Sequence, residues 1–187
     1  MSTTEFLRYV APLEERLPSR SPGEDDDRFP FLLVITSQLL SPQRAMELTA
    51  MGSGRAGWID MTPVQPLNFL RSRDSNAPAA AAYLITDVDT RGRATLNIRP
   101  QDALPLITEQ KRTPLTIEEG VSLLTQHPSL LETHNAYWLM GSRAGGGDKR
   151  VPAIWVSKGN PRLGWCWNGT PHTWLGAGSA AARIGPA

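Results

Sequence analysis

One cysteine, Cys166, is all that the 187 residues carry. A lone thiol cannot staple its own chain, and a secreted protein of this size more often holds an even set, so the expected setting is cytoplasmic. Three histidines, His127, His134 and His172, join that cysteine without any paired spacing of the kind a structural zinc needs, and no metal is expected. Long apolar runs are missing too: Phe29–Ile35 (FPFLLVI) is among the longest, far short of a membrane span. The start, MSTTEFLRYV, has no basic segment leading into an apolar one, so neither a leader nor a membrane contact is expected. Net charge is scarce at +1, which argues against a broad footprint for duplex nucleic acid or an anionic membrane.

Cofactor and nucleophile signatures also fail in context. Gly52–Gly57 (GSGRAG) has the spacing of a dinucleotide fingerprint, but a helical pattern precedes it and WIDM comes after, the reverse of the strand-to-helix order that places a pyrophosphate. Asp87–Gly92 (DVDTRG) opens like a calcium loop, yet Arg91 takes a ligand position and Ile98 the closing carboxylate position. The glycine-rich GSRAGGGD lacks the lysine and hydroxyl residue of a phosphate loop, and no G-x-S-x-G elbow occurs. No cofactor is expected, and the residues decide neither for nor against an enzyme, nor do they set an oligomeric state.

What is present is the composition of one globular domain over residues 1–187: 40% hydrophobic and 20% charged residues, enough for a single sizeable core. The charge is graded. Residues 1–27 hold seven acids against three arginines, and residues 143–187 hold six bases against Asp148 alone. The gradient reads either as solvated surface or as a small anion-binding patch in the C-terminal third.

Phe6, Val10, Leu13 and Leu17, with Tyr9, form one stripe of a helix over residues 3–17. An acidic connector comes next, at about 18–28. Phe29–Ile35 reads as a buried strand, and Ser41–Pro42 as the start of a helix to about Ala50. The stretch AAYLITDVDTRGRATLNI predicts a hairpin turning at Asp89–Gly92. Pro100 opens a helix to Gln110, and Thr116 with Glu119 has capping-box spacing before a helix over 117–126, which gives Glu118 and Glu119 structural roles first. NAYWLMG, RVPAIWVS and RLGWCW then predict an antiparallel meander. The fold class is α+β: one domain with a C-terminal antiparallel sheet and several helices.

Five of the six tryptophans fall within residues 138–174, three of them around the cysteine in LGWCWNGTPHTWLG. On a strand, Trp165 and Trp167 share a face with Leu163, and Cys166 shares the other with Arg162 and Gly164. Three readings fit. The tryptophans and Cys166 are packing; or Cys166 is a nucleophile served by His172 and oriented by Asn168 or Asp148; or the tryptophans line a pocket in which an arginine meets an anionic group. A thiol between bulky apolar residues stays neutral, so the nucleophile is the disfavoured one. Candidate ligand-binding residues are Arg143, Arg150, Trp155, Arg162, Trp165, Trp167, His172 and Trp174, with His172 and Arg150 foremost. The expected function is binding, or enzymatic use, of a small anionic or aromatic molecule on a specialised bacterial pathway. The alternative is a protein-interaction module with the tryptophans as structural core.

The segments Arg112–Leu131, Gly141–Arg143, Arg150–Trp167 and Pro171–Gly176, above all GWCW with PHTWLG, resemble an uncharacterised actinobacterial protein family catalogued as a domain of unknown function; FPFLLVI and YLITDVDTRG resemble its upstream segments. The resemblance implies a shared fold and an intracellular bacterial setting, and no activity. The loop RAGGGDK is longer and richer in glycine than that pattern.

Overall fold

Ser2 starts the first helix, α1 (Thr3–Glu14): its hydroxyl accepts from the Glu5 N–H, and the Glu5 carboxylate accepts from the Ser2 N–H. In the computed structural model, which describes residues 1–18, 27–50, 55–71, 75–132 and 136–186, the expected stripe faces inward, with Leu13 buried and Phe6, Tyr9, Val10 and Leu17 half-buried. The helix stops at Glu14 rather than residue 17, where the Arg16 and Leu17 amides turn back to the Leu13 and Glu14 carbonyls.

Residues 19–26 of the expected acidic connector lie outside the described residues. Its end is not a solvated linker: Asp27 is buried and ion-paired to Arg91 at 2.9 Å and to Arg93, and Arg28 already belongs to a strand. A charge taken out of water needs such partners, and the two arginines supply them. That strand, β1 (Arg28–Ile35), heads a four-stranded antiparallel sheet ordered β1, β4 (Ala82–Asp89), β11 (Ser179–Ile184), β5 (Thr113–Pro114). The expected hairpin is therefore corrected. Its first arm is β4, but the second does not fold back, because β1 and β11 already flank β4. The turn itself forms: Asp89 Oδ1 accepts from the Arg91 and Gly92 amides. Gly92, at φ +53°, then lies so close to the Ala177 backbone that a Cβ there would meet it at 2.4 Å. The chain passes across that backbone as a single 3-10 turn, Arg93–Thr95, and Thr95 Oγ1 accepts from the Ala177 N–H at 2.8 Å.

The second sheet contains the predicted meander, β6 (Ala136–Trp138), β8 (Arg150–Ser157) and β9 (Asn160–Trp167), all antiparallel. Two edges missing from the sequence-based expectation join it in parallel: β10 (Leu175–Ala177) beside β6 and β2 (Trp58–Ile59) beside β9. A short pair, β3 (Phe69–Arg71) with β7 (Ser142–Ala144), completes the strands among the described residues. Of GSGRAG, residues 52–54 lie outside the described residues; the next element along the chain is the strand β2, not a helix.

The described residues form three more helices, α2 (Pro42–Leu48), capped by Ser41 and shorter than the expected span to Ala50; α3 (Pro100–Glu109), with proline in its first turn; and α4 (Ile117–Gln126), with both halves of the Thr116–Glu119 capping box made. One core joins them. Val34, Tyr83 and Ile85 of the first sheet, Leu123 and Leu124 of α4, and Trp138, Ile154 and Leu163 of the second sheet are all buried in a single cluster, which fits one α+β fold. Among the described residues no helix is long and apolar enough to cross a membrane.

Candidate functional site

The eight residues selected from the sequence fall into separate groups. Arg150 lies 5.1 Å above the Trp165 ring and 5.6 Å from Trp167, the two rings stacking edge to face at 4.9 Å. Its charge is met by Asp148 at 2.6 Å. The β8–β9 register pairs Arg150 with Trp167 and Trp155 with Arg162, an odd number of residues apart along β8, so the second group sits on the opposite face. There Arg162 is held between Trp155 at 4.8 Å and Trp58 at 5.0 Å, with Asp60 at 2.7 Å. Arg143 donates to Asn168 Oδ1 at 3.0 Å. His172 makes edge contacts with Trp174 at 5.5 Å and Trp138 at 6.2 Å, and burial lowers its pKa.

Cys166 is half-buried. Burial pushes its thiol up to about 11, although the Trp138 indole and the Arg162 guanidinium favour the thiolate. Among the described residues no hydrogen bond joins Cys166 to His172. Nothing here lowers the thiol pKa into the range a nucleophile needs. His134 lies outside the described residues, and among those described no cluster of His, Cys, Asp or Glu is arranged to hold a metal ion.

Open space lies elsewhere. A cleft of about 400 Å³ runs between α1, β1, α2 and α4, walled by Phe6, Leu33, Ile35, Leu40, Leu48 and Val121 among others. Such volumes suit small molecules, which lie mostly against apolar side chains with a few fixed polar groups. A second cleft of about 460 Å³ is more polar, with Ser37, Gln38, Arg71 and Ser142 in its lining. Both clefts share Pro42, Ile117 and Glu118. None of the eight sequence-selected residues lines either cleft.

The polar groups at the shared wall are fixed from beneath. Glu119 is fully buried, accepting from the Thr116 N–H and the Tyr83 hydroxyl, each at 2.8 Å, and from Arg183 Nε at 2.6 Å and Nη2 at 2.8 Å. Arg183 also donates to the Pro114 carbonyl and to Thr113 Oγ1. Burial and the Glu119 charge raise the Tyr83 pKa, so its hydroxyl stays a donor. This network ties the start of α4 to β4, β5 and β11, while the Ile117 N–H donates to Ser142 Oγ at 2.9 Å. Glu118, one residue earlier than Glu119, then faces the clefts. Its Oε2 accepts from Arg71 Nε at 2.9 Å and from Nη2, and its Oε1 accepts from the Ser37 N–H at 2.6 Å. Arg71 lies 5.8 Å over the Tyr83 ring and donates through Nη1 to the Pro78 carbonyl at 2.6 Å.

Sequence reasoning missed Arg71, Ser37 and Ser142, and it gave Glu118 only a role in the helix dipole. One signal was available: in IEE the capping box uses Glu119, which leaves Glu118 without a cap to make. Nothing local to β3 marks Arg71 as its partner, 47 residues away.

The fold and the paired clefts define an α+β protein with an apolar cavity bordered by a neutralised Arg–Glu pair. The chain belongs to DUF5701, a family of unknown function, whose model matches residues 1–186. Neither a curated protein nor a solved structure matches it.

Proposed function

We propose that the protein binds a small amphiphilic molecule, its apolar part in the cleft between α1, β1, α2 and α4 and its polar part beside Arg71 and Glu118. The observation that carries this is the pairing of an apolar cleft with a polar one along a common wall of Pro42, Ile117 and Glu118. Apolar area supplies affinity in such sites, and a few polar groups on rigid elements supply orientation. The reading keeps the small-molecule class expected from the sequence and moves it away from the tryptophans, whose arginines are already met by Asp148 and Asp60. An uncommitted guanidinium at those positions would have favoured the anion-binding patch. The setting we propose is cytoplasmic, supported by the single cysteine.

The test is titration with phenylnaphthylamine, a neutral dye that fluoresces in apolar sites. Wild type binds it, and Ala45→Trp, which fills the cleft from α2, weakens binding at least about tenfold while the circular dichroism spectrum stays native. Undiminished binding by folded Ala45→Trp would refute the cleft.

A further inference from the structure

The Arg71–Glu118 pair sets the chemical class of the ligand's polar end. Its members are mostly covered: the side chains are 26% and 14% exposed. A compensated pair held out of water offers a third charge little net attraction to offset the hydration that charge loses on entering. Here the two charges sum to zero. Glu119 and Arg183 beneath them form a second compensated pair at 2.6 Å, and among the described residues no further charged side chain lines either cleft.

The hydrogen-bonding capacity of the pair is not exhausted. A guanidinium carries five N–H donors and a carboxylate about four lone-pair positions. Arg71 uses Nε and one N–H from each Nη, toward Glu118 and the Pro78 carbonyl. That leaves one N–H on each Nη. Glu118 accepts two bonds from Arg71 at Oε2 and one from Ser37 at Oε1, which leaves room for one donor more. The wall thus offers donors and an acceptor side by side with no net charge.

Resting on the cleft reading above, we infer that the ligand is an apolar molecule with an uncharged head that both donates and accepts hydrogen bonds, such as a hydroxyl or a primary amide. A carboxylate head gains Arg71 but meets Glu118, and an ammonium gains Glu118 but meets Arg71; each also sheds its hydration on entering. A hydroxyl accepts from Arg71, donates to Glu118 and sheds far less. The apolar cleft holds the remainder.

Displacement of phenylnaphthylamine by octanol, octanoate and octylammonium at neutral pH tests this. These probes share one chain and differ in the head. Octanol displaces the dye best from wild type. Because an alcohol also partitions best into any apolar space, the variants carry the decision. Glu118→Gln leaves Arg71 uncompensated, and octanoate gains about tenfold relative to octanol. Arg71→Gln leaves Glu118 uncompensated, and octylammonium gains by a similar factor. Either variant alone decides, so one that fails to fold leaves the other in force. An unchanged order of the three probes in a folded variant overturns the head assignment and leaves the cleft standing, as does a wild type that prefers a charged head. A wild type that does not bind phenylnaphthylamine overturns the cleft, and the head assignment with it.

Discussion

Pro30 stands opposite Asp87 in the β1–β4 ladder, between the couples Phe29–Val88 and Phe31–Thr86. Proline has no N–H to give, so the aspartate's peptide is released from the ladder. Asp87 takes φ +48°, its carbonyl accepts from Arg112 Nη2, and its carboxylate receives Arg112 Nη1 at 2.6 Å and Arg28 Nη1 at 3.1 Å. Arg112, 5% exposed, depends on this acceptor set and on Ser179.

Asp87→Asn separates charge from shape here, since asparagine tolerates left-handed backbone and keeps an acceptor. It lowers stability by about 1–3 kcal/mol, the worth of a hydrogen bond to a charged group. Asp87→Ala costs more, because it removes the acceptor and leaves a Cβ on strained backbone. Urea unfolding of both variants checks this, and equal midpoints for the two would show that the arginines do not need the carboxamide oxygen.

The Glu119–Arg183 pair lies deeper, at 0% and 2% exposure, and every element it joins meets at the start of α4. Removing one partner leaves an uncompensated buried charge, so Arg183→Met destabilises by roughly 3–5 kcal/mol. The double variant Glu119→Gln, Arg183→Met recovers part of that loss, because no charge remains stranded. A double-mutant cycle by denaturant unfolding reads the difference, and additivity of the two single losses would mean the pair is not coupled.

Much of this fold was legible because the signals are local. The Phe6–Val10–Leu13 stripe, the Thr116–Glu119 box, the Ser41–Pro42 start and the alternation in RVPAIWVS and RLGWCW are set by neighbours a few residues away. The hairpin after Asp89 failed for a non-local reason: whether Leu96 and Ile98 fold back on β4 depends on β11, some ninety residues on, which takes that place first. The parallel edges β2 and β10 are two and three residues long, too short for a period to show. The candidate site was the least legible part. A cluster of tryptophans and arginines looks alike in sequence whether the guanidiniums are open to a ligand or closed by Asp148 and Asp60, and Asp60 is 102 residues from Arg162. The cleft is lined by ordinary Leu, Ile and Val, whose absence of a covering layer is a property of packing rather than of residue type.

Arg162 between Trp58 and Trp155 separates the two locations for a ligand. If the arrangement is a packing device, Arg162→Ala costs about 1–2 kcal/mol, from two cation–π contacts and an ion pair, and alters tryptophan fluorescence through the rings it leaves. Phenylnaphthylamine affinity stays at the wild-type value, since neither cleft includes Arg162. A loss of dye binding in a folded Arg162→Ala protein would return the ligand to the tryptophans.

Cys166 sits between Trp165 and Trp167 with its thiol pushed up to about 11, chiefly by burial, so the native state holds the proton more tightly than the unfolded chain does. The sign comes from linkage: a raised pKa contributes stability that is full below the ordinary thiol value of roughly 8.5 and is lost as pH rises through about 11. Wild type therefore loses stability over that interval more steeply than Cys166→Ala, in which the titrating group is gone. Cys166→Ser at neutral pH lowers stability by only about 1 kcal/mol, because a half-buried hydroxyl costs more to desolvate than a thiol while the Trp138 indole N–H stays within reach of its oxygen. Thiol labelling of the native protein at neutral pH is slow, and His172→Ala leaves its rate unchanged, since no hydrogen bond links the two side chains. Fast labelling that His172→Ala abolishes would establish the activated thiol that burial here opposes.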